Sequence, residues 1–181
     1  MLDFACLTMK RTTAITLFLI VAAIALLAYK WWRSRQSATP PGPQTIASQC
    51  DQNLWQFVYH PNRLQVLNPC TSVTGAVDEV RQEPDGDLHV RFRLDQQFVS
   101  LLNQENISSQ QGDLVLEPIC QHQVTQADAV APCKPYSGPF FQPQVGQRYL
   151  VWGAHVEDTA HGWNELHPIT SMQPIPSTSS N

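Results

Sequence analysis

Leu88, Val90, Phe92 and Leu94 alternate with His89, Arg91, Arg93 and Asp95, the period of two expected of a strand with one buried and one wet face. Ser72 to Val80 is rich in β-formers, Gly75 permits a bulge or bend within it, and Glu83-Pro84-Asp85-Gly86 supplies the turn between these two segments. Asp113 to Cys120 predicts a third strand. Tyr149 to Glu157 and Asn164 to Ser171 predict two more, joined by the loop Asp158 to Trp163. Helical periodicity is short and local. Leu54, Phe57 and Val58 fall at i, i+3 and i+4 within Asp51 to Leu67, a lid-like amphipathic helix that Pro61 should stop or restart. Phe98, Val99, Leu101 and Leu102 predict a second helix over Gln96 to Gln104, capped by Asp95. The pattern predicts a mostly β domain, a small five-stranded OB-like barrel with one or two short helices. A β-sandwich is the runner-up, although five strands are few for one.

Ahead of these periods lies an uncharged stretch, Thr12 to Tyr29, followed at once by Lys30, Trp31, Trp32 and Arg33. As a helix rising 1.5 Å per residue it reaches roughly 27 Å, close to the thickness of a hydrocarbon core. This predicts a single transmembrane helix ahead of the β domain. The expected organisation is an N-terminal tail at 1–11, a transmembrane signal anchor at 12–32, a Pro/Ser-rich linker at 33–49, an OB-like extracytoplasmic domain at 50–172 and a disordered tail at 173–181. A cleaved signal peptide is the competing reading, because Lys10 and Arg11 precede the apolar run. Against cleavage, the run exits into aromatic and basic residues of the interfacial-anchor type and no small-x-small site follows promptly. Charges flanking the helix are nearly balanced and do not decide its orientation.

The cysteines bear on the compartment. Cys50, Cys70, Cys120 and Cys133 lie beyond the anchor without a C-x-x-C pair, which fits two disulfides better than a zinc site and favours a cell-membrane protein whose C-terminal domain is periplasmic or extracellular. Four free thiols in a cytosolic domain are the alternative. From residue 37 onward six basic side chains face fourteen acidic ones, a net of −8, so nucleic acid is not an expected partner. The expected partners are membrane lipid, through the N-terminal helix, and a protein or small molecule of unknown identity.

On an OB barrel the loops after strands 1 and 4 share one face, which gathers Asp85, Asp87, His89, Asp158, His161, Trp163, Glu165 and His167. Asp85, Asp87 and Trp163 are the ligand-binding candidates. His89, His161, Glu165 and His167 are candidate ligands for a divalent metal such as zinc, since Glu165 and His167 point to one side of a strand and His161 sits in the turn that leads to them. The same residues also read as the wet face of a barrel with Trp163 over its end. Arg91 and Arg93 share one face and either hold an acidic ligand or pair with carboxylates on neighbouring strands. His60, His122 and His155 read as surface or packing residues. Asn106-Ile107-Ser108 matches a glycosylation sequon. No nucleophile elbow, P-loop or dinucleotide fingerprint is present. The chain therefore reads as a membrane-anchored extracytoplasmic binding or accessory module, and the rival reading is a metal-dependent hydrolase using the His/Asp/Glu rim.

Three motifs, N-P-C-T-S-V-T-G-A-V (Asn68 to Val77), D-G-D-L-H (Asp85 to His89) and H-G-W-N-E-L-H-P (His161 to Pro168), resemble those of small exported bacterial proteins of unknown activity with an OB-type domain. The resemblance covers about residues 55 to 172 and implies export and a barrel, not an activity. The segment from Cys120 to Cys133 resembles theirs too, which makes that pair the first-choice disulfide. Cys50 with Cys70 then completes the partition with the shortest loops among three possible.

Overall fold

The computed structural model describes residues 26–27, 29–30 and 49–176. Most of the expected anchor and linker, and residues 177–181, lie outside the described residues. Among the described residues no helix is long and apolar enough to cross a membrane. The β domain falls within the unit Gln44–Asn181.

The protein is mostly β. Its strands are β1 (Leu64–Gln82), β2 (Leu88–Leu94), β3 (Leu114–Leu116), β4 (Arg148–Asp158) and β5 (Asn164–Pro174), with helices α1 (Gln104–Ser109) and α2 (Val130–Cys133) and several 3-10 turns. The strands form one sheet in the order β1-β2-β3-β5-β4, closed by pairing of β1 with β4. All neighbours are antiparallel except β3 and β5.

Closure rests on the length of β1. Its first half pairs with β4, from Leu64 opposite Asp158 to Ala76 opposite Arg148, and its second half pairs with β2, from Gly75 opposite Leu94 to Gln82 opposite Leu88. Gly75 and Ala76 are paired on both sides. At Gly75 the backbone of β2 comes so close that a Cβ would lie 2.2 Å from the carbonyl oxygen of Arg93, so glycine is needed there for approach. The expected bulge is displaced, because the register with β2 shifts between Val77 and Glu79.

Alternation along β2 delivers Leu88, Val90, Phe92 and Leu94 to the core, where they meet Val73, Val77, Leu116, Val151 and Ile169. The opposite face follows the cross-strand alternative: Arg91 bonds Glu79 at 2.7 Å and Asp113 at 3.1 Å, and Arg93 pairs with Asp78 at 3.3 Å. A second apolar cluster packs Leu54, Phe57 and Val58 against Ile119, Ala154 and Val156, the anticipated lid. The lid is a 3-10 turn over Gln52–Phe57, capped by the Asp51 side chain, and the chain restarts at Pro61 and is already strand at Leu64.

Other boundaries differ from expectation. Gln96–Leu101 is a 3-10 turn, and Asp95 does not cap it because its carboxylate instead binds the Thr74 hydroxyl and Arg148. Helix α1 follows instead, with Asn103 and Asn106 forming a reciprocal capping box. Strand β3 has three residues rather than the eight from Asp113 to Cys120. Strand β5 passes through Pro168 and runs to Pro174, so Gln173 and Pro174, expected in a disordered tail, pair with Leu150 and Tyr149. With β3 and β4 on its two sides, β5 is no edge strand. Both disulfides match the expected partition, Cys50–Cys70 and Cys120–Cys133.

Candidate functional site

The turn after β1 and the turn after β4 border one cleft of about 760 Å³. Of the expected site residues, Asp85, His89, His161, Trp163 and Glu165 line it, whereas Asp87 and His167 are buried beside it. Its other walls bring in Tyr59, His60, Arg63, Arg81, Glu117 and Asp158.

Trp163 organises the rim. Its indole lies parallel to the His161 ring with centroids 4.4 Å apart, its edge meets His89 at 5.9 Å, and its Nε1–H donates to Glu165 Oε2 at 3.1 Å. His161 is held from below: its Nδ1 lies 2.8 Å from Asp158 Oδ2, which also faces the Arg63 Nε at 3.2 Å. Asp158 Oδ1 accepts from the backbone N–H of Ala160 at 2.8 Å, so this buried carboxylate fixes the whole turn.

Beneath the rim is a buried polar layer. His89 was expected on a wet face but is 4% exposed, because Gln110, just after α1, and Trp163 cover it. Its Nδ1 lies 3.0 Å from Glu117 Oε1 and its Nε2 lies 3.1 Å from Gln110 Oε1. Burial pushes the imidazole pKa down, while burial and the carboxylates of Glu165, Asp87, Asp85 and Glu83 push Glu117 well up. Both ring nitrogens of His89 are thus engaged, one by Glu117 and one by Gln110. Asp87, 3% exposed, is pushed up to about 7 chiefly by burial, opposed by the nearby His167 and reinforced by Asp85. Its Oδ1 accepts from the Cys120 N–H at 2.6 Å. His167 Nδ1 is bound by Glu165 Oε1 at 2.9 Å, and its buried Nε2 has no hydrogen-bond partner.

The candidate metal ligands thus occupy different settings. Both nitrogens of His89 are engaged, His161 faces the cleft, and His167 lies in the interior. Among the described residues the group of three metal-type donors that lies close together is Asp87, Cys120 and Cys133, and those two sulphurs are already bonded to each other.

Sequence reasoning passed over His60, Glu117 and Gln110. His60, read as an ordinary surface or packing residue, lines the cleft at φ 51, its ring tilted 46° against that of Tyr59 with centroids 4.0 Å apart. A signal for it exists in hindsight, since the His-Pro pair sits where the lid must turn into β1. Asn106, the asparagine of the sequon, has a role the sequence did not indicate. It is fully buried and donates to the carbonyls of Asp113 and Asn164 while accepting from the N–H groups of Asn103 and Asn164, so the sequon asparagine is a structural hub.

Comparison of the chain with family models, curated proteins and solved structures finds no match.

Proposed function

We propose that the chain is a membrane-tethered extracytoplasmic binding module of OB type, whose cleft takes a polar ligand that carries no phosphate, with neutral sugars the first class to test. The observation that carries this reading is the make-up of the cleft. Asp85, Asp158, Glu83 and Glu165 outnumber Arg63 and Arg81, and both arginines already face carboxylates. An anionic ligand therefore meets a lining in which acids outnumber bases, while a hydroxyl-rich ligand finds acceptors, imidazoles and the aromatic surfaces of His161, Trp163 and Tyr59. The strand order supports an OB barrel, which binds ligands through the loops after strands 1 and 4. Two disulfides support an oxidising compartment, the Thr12 to Tyr29 stretch supports the tether, and the resemblance of three motifs to those of exported bacterial proteins agrees with both.

The test is NMR titration with neutral oligosaccharides and their phosphorylated counterparts. The expected result is a shift of the Trp163 indole N–H and the Gly162 amide with neutral sugars only, lost on Trp163→Ala. Shifts with the phosphorylated series alone would overturn the reading.

The metal-dependent hydrolase remains the second reading, favoured by one observation, the buried and unpartnered Nε2 of His167 held in place by Glu165. Stoichiometric zinc in the purified chain, lost on His167→Ala, is its test.

A further inference from the structure

We propose that the Cys120–Cys133 disulfide is an exchangeable one, opened by a dithiol partner at Cys133, with the Asp87 carboxyl giving and taking the proton at Cys120. The two Sγ atoms and a carboxylate oxygen of Asp87 all lie within 4.8 Å of one another. A bonded cystine offers a metal no thiolate, but a carboxyl within this distance can exchange a proton, through one intervening water, with a sulphur that leaves or attacks. The placement is built in: Asp87 sits at the end of the β1–β2 turn, buried, with its Oδ1 tied to the N–H of Cys120 itself.

The two sulphurs differ in access. Cys120 is 6% exposed and packs in the lid cluster with Phe57 and Ile119. Both cysteines border a surface dent of about 320 Å³ with Lys134, Tyr136 and Phe140, but Cys133, at the end of α2, is the partly exposed one. Exchange runs fastest when the attacked sulphur is reachable and the departing thiolate is promptly protonated.

The step balances as follows. A thiolate of the partner attacks Cys133 Sγ, the S–S bond breaks, and its electron pair passes to Cys120 Sγ, which takes the proton of Asp87. The partner's second thiolate then attacks its own sulphur in the mixed disulfide and expels Cys133 as a thiolate, which is protonated from solvent. The partner dithiol is oxidised by two electrons to a disulfide and the cystine is reduced to two thiols; the reverse sequence uses the Asp87 carboxylate as base. Asp85 on the same turn, Glu117 after β3, His167 on β5 and Arg63 ahead of β1 act electrostatically on this carboxyl, and the His122 ring bonds its backbone carbonyl.

The experiment exposes the oxidised full chain to dithiothreitol under native conditions, quenches with an alkylating reagent and maps the peptides over time. Cys120 and Cys133 are expected to open about tenfold or more faster than Cys50 and Cys70, which serve as the internal control. Asp87→Asn keeps an oxygen for the Cys120 N–H but has no proton to exchange, and it is expected to slow opening of that bridge about tenfold while leaving the control unchanged. Equal rates for the two wild-type bridges, or a wild-type rate in a folded Asp87→Asn, would overturn the proposal. If the circular dichroism of that variant shows a lost fold, the wild-type comparison of the two bridges decides by itself.

Discussion

At the scale of single residues the domain is marked by carboxyls that burial pushes up. Asp87 has an ordinary pKa of about 3.9 in an unfolded chain and about 7 in the fold, so the folded state holds its proton more tightly. Its contribution to stability is complete below about pH 3.9 and is lost as the pH rises through about 7. Buried His89 and His155 work in the opposite sense, because their lowered values remove stability as the pH falls through about 6.5. Comparing Asp87→Asn with wild type cancels the imidazoles. The variant's stability relative to wild type is expected to rise by on the order of 3 kcal/mol between pH 5 and pH 8 in urea unfolding, and a flat difference would mean that Asp87 ionises freely. Little of this was legible beforehand. Period two placed His89 on the face of β2 opposite the core, but the cover that buries it comes from Gln110 and Trp163, distant in sequence, and no local pattern announces a lid over a polar face.

At the scale of elements, strands that make their own hydrophobic face were readable and strands defined by their neighbours were not. β2 and β4 carry clear apolar patterns and fall nearly where expected. The first residues of β1, with Asn68 and Pro69 among them and several exposed, have no such pattern and are strand only because β4 lies alongside. β3 shrinks to three residues because pairing with β2 and β5 lasts only that long. Between these elements Arg91 is the main polar tie, joining Glu79 on β1 to buried Asp113 just before β3. Arg91→Met strands the Asp113 carboxyl, already pushed up by burial, and is expected to cost about 3 kcal/mol, with part of the loss recovered in Arg91→Met/Asp113→Asn. Urea midpoints of the single and double variants check this; an unchanged midpoint in the single variant would show the tie to be inert.

At the scale of the whole molecule, the five strands, both disulfides and most of the rim were legible, since hydrophobic period and cysteine spacing are local signals. The composition of the cleft was not, because Tyr59, His60 and Arg63 reach it only once the lid folds back over the start of β1. The proposed tether makes its own prediction. The full chain is expected to stay with membranes through alkaline carbonate washing, and a chain beginning at residue 45 to appear in the soluble fraction. Release of the full chain by carbonate would count against an integral anchor.

The Cys50–Cys70 bridge also has a mechanical meaning. Any pull on the chain ahead of Cys50 crosses the sulphurs directly to Cys70, so the intervening residues 51–69 carry no tension while the bridge is intact. The load enters β1 part-way along its length, close to where it is laced to β4 on one side and, a few residues on, to β2 on the other. Tension drawn along a strand held in this way acts on its cross-strand hydrogen bonds in shear, many at a time, instead of peeling them singly from the lid inward. Reduction reroutes the same pull through the lid and the first turn, turning a clamp into a zipper that opens from its end.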